Sequence, residues 1–209
     1  MQLKNLTASR SKDAKIVMLR SKVREQGKTI RQQDAQIRKL KKLSIYDELT
    51  DILNRRGGIE EMNLVTAELR RLKEDGEKRK NKQPRSVVIG LFDIDRFKGI
   101  NDKFGHKAGD LVIRKTAEFL KDKFREYDVV CRWGGEEFVV AFQGDEWDLL
   151  KKTLGLYVKS GKQKIRITLS GGVTNYRRGE ELHQAIDRAD EAMYRSKEMG
   201  RNKITVHGQ

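Results

Sequence analysis

Between Val129 and Phe142 the chain carries two apolar, β-forming runs separated by Arg132-Trp133-Gly134-Gly135-Glu136-Glu137, a glycine pair followed at once by a carboxylate pair. The spacing predicts a strand, a two-residue Gly-Gly turn and a second strand. A tight hairpin makes its strands antiparallel neighbours, so a sheet built only from parallel strands is excluded. Glycines without side chains would let a ligand's phosphates approach the backbone, and Glu136 and Glu137 stand where the second strand begins. At this point an ordinary surface hairpin with solvated glutamates is an equal alternative.

The remaining pattern mixes helices and strands without strict alternation. Ser86 to Phe92 is a nearly continuous apolar run ending in Asp93-Ile94-Asp95, which predicts a buried central strand with carboxylates at its exit. An isolated Asp-x-Asp reads most simply as a solvated strand end. Amphipathic helices are predicted over Ile59 to Leu72, Gly109 to Phe124, Glu146 to Val158 and Glu180 to Met199, the last closed by a glycine cap at Gly200. Ile165, Ile167 and Leu169 alternate in a strand before Gly171-Gly172, and Ile204 to Val206 closes the chain as a short strand. Asp75 to Pro84 reads as a surface loop. The fold class is therefore α/β in the α+β sense, a mixed, largely antiparallel sheet flanked by helices and preceded by a long N-terminal helix.

That N-terminal stretch holds most of the charge. Residues 1–44 contain thirteen Lys or Arg against three Asp or Glu, so they supply ten of the fifteen net positive charges of the 209-residue chain. Ile16, Val23, Ile30 and Ile37 recur at a seven-residue interval, with Leu19 and Leu40 at the companion positions and Gln26 and Gln33 between them. β-Branched residues at a positions favour a parallel two-stranded coiled coil, and the glutamines and Gly27 make it a marginal one. Residues 1–44 are thus expected to be a dimerisation or signalling helix, and residues 45–209 a separate folded domain. A single basic helix, solvated all round, is the plainer reading of the same residues. Cys131 is the only cysteine, which leaves no intrachain disulfide and makes a reducing, cytoplasmic setting the expectation. No apolar run is long enough to span a membrane.

Clustered carboxylates suit Mg²⁺, and no Cys or His cluster competes for the role. The segment Phe92 to Asp102, then Gly105-His106-Lys107-Ala108-Gly109-Asp110, then Gly134 to Phe138 resembles the GGDEF domain of bacterial diguanylate cyclases in its GGEEF form. Asp47-Glu48-Leu49-Thr50 with Asn54-Arg55-Arg56, and Lys197-x-x-Gly200-Arg201-Asn202, extend the resemblance over about Ser44 to Val206. Several ordered motifs together carry it, where any one alone is weak. The chain departs from the family pattern at Asp51 and Leu53, where glycine and proline are common, and at Ser196, where alanine is usual.

The resemblance implies a nucleotidyl-cyclase, palm-like fold and the condensation of two GTP into cyclic di-GMP with release of two pyrophosphates. It implies two Mg²⁺ ions, or Mn²⁺ in their place, held by Asp93, the Ile94 carbonyl, Glu136 and Glu137, with Glu136 also acting on the attacking 3′-hydroxyl. Asn101 and Asp110 match guanine-reading positions; a carboxylate accepts from guanine N1–H and N2–H, which adenine cannot offer. Phe97, Lys98, Gly134, Gly135, Lys197 and Arg201 match substrate-binding positions, and His106 a loop-orienting one. Arg125 and Asp128 match the Arg-x-x-Asp site at which cyclic di-GMP inhibits, with a surface salt bridge as the simpler alternative. Each domain would hold one GTP, so the reaction requires a homodimer, and the coiled coil supplies it. No specific nucleic-acid partner is expected. Two rivals remain at this stage, a non-catalytic cyclic di-GMP receptor and a basic coiled-coil binder of nucleic acid or membrane surfaces.

Overall fold

The computed structural model describes residues 2–74, 86–144, 155–161 and 163–208. The predicted loop Asp75 to Pro84 and residues 146–154 of the predicted helix Glu146 to Val158 lie outside that set. The chain forms two compact units, Met1–Ser44 and Ile45–Gln209.

The first unit is helical, within α1 (Gln2–Ile45), which is longer at both ends than the heptad stretch. Leu19, Val23, Ile30, Ile37 and Leu40 are 53 to 67% exposed. An apolar stripe of that length without a core beneath it is the surface a second helix would cover. The side chain of Ile16 lies outside the described residues.

The second unit is a sheet between two helical layers. Its elements are β1 (Leu53–Asn54), α2 (Arg55–Glu74), β2 (Val87–Ile94), α3 (Phe97–Phe104), α4 (His106–Lys123), β3 (Val129–Arg132), β4 (Glu137–Gln143), β5 (Gly155–Ser160), β6 (Gln163–Asn175), α5 (Leu182–Glu198) and β7 (Ile204–Val206). The strand order is β1-β3-β4-β2-β6-β5, with β7 also paired to β6. Pairs β1–β3 and β6–β7 are parallel and the others antiparallel, as the hairpin requires.

β2 is buried along its whole length because both of its faces are covered. Val88, Phe92 and Ile94 join Ile100, Val112 and Leu120 of α3 and α4 on one face. Val87, Ile89 and Leu91 join Met62 of α2 and Ile186, Ala189 and Met193 of α5 on the other. The glycine pair of β6 serves the same layering. A Cβ on Gly171 would stand 2.7 Å from the Phe92 ring, and one on Gly172 would collide with the α5 backbone at Ala189 and Met193.

Three sequence expectations change. The hairpin connection is four residues long, Trp133 to Glu136, rather than a two-residue Gly-Gly turn. Arg132 pairs with Phe138, and neither Gly134 nor Gly135 has the positive φ that a tight hairpin turn demands. Where the predicted helix Glu146 to Val158 is described it is strand β5, paired with β6 from Gly155 to Ser160. Helix α3 has no counterpart in the predicted elements; it contains Gly99, Asn101 and Asp102, weak helix formers, and is held by the burial of Ile100.

Candidate active site

The strand register brings the acidic residues together. Asp93, near the end of β2, lies directly across from Glu137 at the start of β4, so their side chains leave the same face. Glu136 sits one residue earlier in the hairpin loop, and its carbonyl accepts from the Ile94 N–H at 3.3 Å. Arg132 sets the shape of that loop. Its guanidinium donates to the Gly135 carbonyl at 2.8 and 3.2 Å and to both Asp47 oxygens at 3.1 and 3.0 Å. Burial alone would raise the Asp47 carboxyl; Thr50 and the Arg132 charge together hold it below the usual range. This pulls the loop wide, which explains why the glycine pair does not close the turn by itself.

The carboxylates are electrostatically uneasy. Burial, then the charges of Asp93 and Glu137, push Glu136 above the ordinary glutamate range. Burial pushes Asp93 up as well, with Asp95 adding to it, and Lys197 and Arg201 opposing. The Lys197 ammonium of α5 meets Asp93 at 2.9 Å and so stands where a cation is wanted. Among the described residues no group of three or more His, Cys, Asp or Glu side chains is already gathered around a metal position. The donor set nonetheless fits a hard divalent cation: neighbouring carboxylates that repel one another, an ammonium acting as counter-ion, and open space beside Gly135.

A second group forms between α3 and α4. Among the described residues the buried Asn101 Oδ1 has no hydrogen-bond partner, and the Asn101 side chain lies against Gly109, where any Cβ would collide with it. Asp110 follows directly, exposed on α4. An unmatched buried acceptor costs about 1–3 kcal/mol, which a donor on a ligand would recover. Phe97 packs on the core below, while Lys98 and His106 are exposed.

Lys197 precedes, and Arg201 lies within, a turn of unusual backbone. Gly200, Arg201 and Asn202 have φ of 101, 65 and 50°, three left-handed residues in succession. For Arg201 this costs about 1–2 kcal/mol, while asparagine adopts it more readily. Asp95 explains how the turn is held, and it is no solvated strand end. It is 7% exposed and accepts from Thr168 Oγ1 at 2.6 Å, Ser170 Oγ at 2.6 Å and the Asn202 N–H at 3.0 Å. Ser196, the departure from the family pattern, is also buried, its hydroxyl on the Gly171 carbonyl at 2.7 Å. Asp95 and Arg132 went unassigned by sequence reasoning because their partners are remote in the chain.

Arg125 and Asp128 form a closed turn apart from these groups. The Asp128 carboxylate accepts from the Arg125 backbone N–H at 2.8 Å, and Asp128 N–H donates to the Arg125 carbonyl at 2.9 Å. The Arg125 guanidinium donates to the Tyr127 hydroxyl at 2.9 Å. Both residues line a groove of about 710 Å³ with Tyr46, Ile52, Val65 and Tyr127. No described helix is long and apolar enough to cross a membrane.

The family described as "Diguanylate cyclase, GGDEF domain" matches residues 44–203. Diguanylate cyclase A of Treponema denticola is 34% identical over 152 residues, 68% of this chain and 40% of that protein. Diguanylate cyclase DgcZ of Escherichia coli is 35% identical over 132 residues, 59% of this chain and 45% of that protein. The chain thus spans under half the length of either relative. Among solved structures, the coiled coil and GGDEF domain of DgcB from Caulobacter crescentus in complex with c-di-GMP matches 90% of this chain and 98% of its own, with a TM-score of 0.75 at 26% identity. Diguanylate cyclase SiaD of Pseudomonas aeruginosa, solved in complex with its activator SiaC, matches 98% of this chain and 78% of its own, with a TM-score of 0.65 at 30% identity.

Proposed function

The chain belongs to the GGDEF family, and from that premise we propose that it is a diguanylate cyclase, condensing two GTP into cyclic di-GMP and two pyrophosphates across a homodimer. The observation that carries the reading is the register pairing of Asp93 with Glu137, with Glu136 adjoining and Lys197 on Asp93.

Each residue has work suited to its setting. Glu136, made more basic by burial and its carboxylate neighbours, accepts the proton of the attacking 3′-hydroxyl. Two Mg²⁺ ions, or Mn²⁺, held by Asp93, the Ile94 carbonyl, Glu136 and Glu137, would supply Lewis-acid charge at the α-phosphate and the entering and leaving oxygens. Lys98, Lys197 and Arg201 neutralise the triphosphate, with Phe97 seating the turn that carries Lys98. Gly134 and Gly135 leave the backbone open to the nucleotide, and Gly135 meets nothing in the space where a side chain would stand. Asn101 and Asp110 read guanine, Asn101 with the unmatched acceptor described above.

Residues 1–44 serve as the dimerisation and signalling helix and residues 45–209 as the cyclase domain. Support comes from the exposed heptad stripe and from the coiled-coil neighbour DgcB. Arg125 and Asp128 take cyclic di-GMP as an inhibitor, a reading favoured by the groove they share with Tyr46 and Tyr127. As a GTP-consuming enzyme the protein works in the cytoplasm.

The test is incubation of the dimeric protein with GTP and Mg²⁺, followed by mass analysis. Cyclic di-GMP and pyrophosphate are the expected products. Binding of cyclic di-GMP without any turnover of GTP would overturn the enzymatic reading in favour of a receptor.

A further inference from the structure

Asp95 lies two residues beyond Asp93, yet its carboxylate is bonded to β6 and to the turn after α5. One oxygen takes the Ser170 hydroxyl; the other takes both the Thr168 hydroxyl and the Asn202 backbone N–H. Its own N–H donates to the Thr168 carbonyl at 2.9 Å, so it is stitched to β6 by backbone and side chain alike. The other end of the turn is held by the Arg201 N–H on the Ser196 carbonyl at 2.9 Å. These two anchors grip Arg201 and Asn202, the last two of the three consecutive left-handed residues that begin at Gly200. Strained backbone of this kind persists only where its surroundings over-determine it.

We infer that Asp95 is a positioning residue for the triphosphate. By holding the Asn202 N–H it fixes the left-handed turn that presents Arg201, and so couples the phosphate-binding end of α5 to the strand that ends in the carboxylate site. The inference rests on the reading that Arg201 meets the triphosphate. An exposed arginine on a loose turn loses orientation before it loses charge, so the effect falls on polyphosphate affinity and not on the base. The carboxylate is suited to the task because it accepts three donors at once while donating none.

The experiment measures binding of a non-hydrolysable GTP analogue and of GMP to the full chain by calorimetry at fixed Mg²⁺. Arg201→Ala and Asp95→Ala are each expected to weaken the analogue about tenfold. GMP binding by Asp95→Ala should stay within about twofold. The double variant should lose about tenfold and no more, because both changes remove one interaction. Asp95→Asn is expected to restore most of the affinity: its amide oxygen can keep the Thr168 and Asn202 donors while its NH₂ donates to the Ser170 oxygen. An additive loss of about a hundredfold in the double variant, an equal loss of GMP, or failure of Asp95→Asn to rescue overturns the inference. If Asp95→Ala does not fold, Thr168→Val, which removes one donor to the same oxygen, carries the test. A loss of about threefold for the analogue with GMP unchanged is then expected, and no selective loss overturns the inference. The two readings fail separately. An Arg201→Ala variant that binds the analogue normally removes the triphosphate reading and this inference with it; weakened Arg201→Ala beside a normal Asp95→Ala removes this inference alone.

Discussion

At the scale of single residues the candidate site is defined by charges that the fold brings together at some cost to itself. Glu136 has its carboxyl raised by burial and by Asp93 and Glu137. A carboxyl raised in the folded state favours folding below its unfolded value and loses that contribution as pH rises through the folded one. At neutral pH the ionised Glu136 is therefore a burden on stability. Glu136→Gln should raise the melting temperature by about 1–2 °C while lowering turnover by about 10²–10⁴-fold. Differential scanning calorimetry beside product analysis checks both, and a fall in melting temperature would contradict the electrostatic account.

At the scale of elements, much of the architecture follows from periodicity. The continuous apolar run of β2, the hairpin strands and the 3.6-residue pattern of α5 are legible because each buries a whole face. β5 is not, since it is a half-exposed strand whose only fully buried side chain is Val158, and its pattern there passes for the end of a helix. α3 is invisible for the opposite reason: tertiary burial of Ile100 and Phe97 overrides the weak propensity of its residues. The site divides the same way. Asp93 and Glu137 are legible as acids at strand ends, whereas Asp93 and Asp95 look alike until β6 delivers Thr168 and Ser170 to one of them. The packing of α3 on α4 makes a further prediction. Gly109→Ala places a methyl group where the Asn101 side chain lies, so the KM for GTP should rise about tenfold. The melting temperature should stay within about 3 °C, because alanine favours the helix that it disturbs locally. Unchanged GTP kinetics in that variant would remove Asn101 from the base-reading site.

At the scale of the whole molecule, the proposed function makes activity depend on protein concentration through the exposed stripe of α1. Ile30→Asp puts a charge at the centre of that stripe. In sedimentation it should shift the protein toward monomer, and at dilute protein its specific activity should fall about tenfold or more, recovering as concentration rises. Full activity of the variant at low concentration would remove the coiled coil from the catalytic apparatus. The pair between Lys197 and Asp93 has a consequence of a different kind. An ammonium resting on a carboxylate is withheld from phosphate, so a divalent ion that takes its place at Asp93 also releases it. If the proposed function holds, metal and triphosphate are heterotropic effectors of one another, and reciprocity requires each to raise the affinity of the other by the same factor. Titrations of Mg²⁺ with and without the non-hydrolysable GTP analogue should therefore show coupling that Lys197→Met reduces by about fivefold or more. Under the proposed function the lysine is a latch that each ligand loosens for the other.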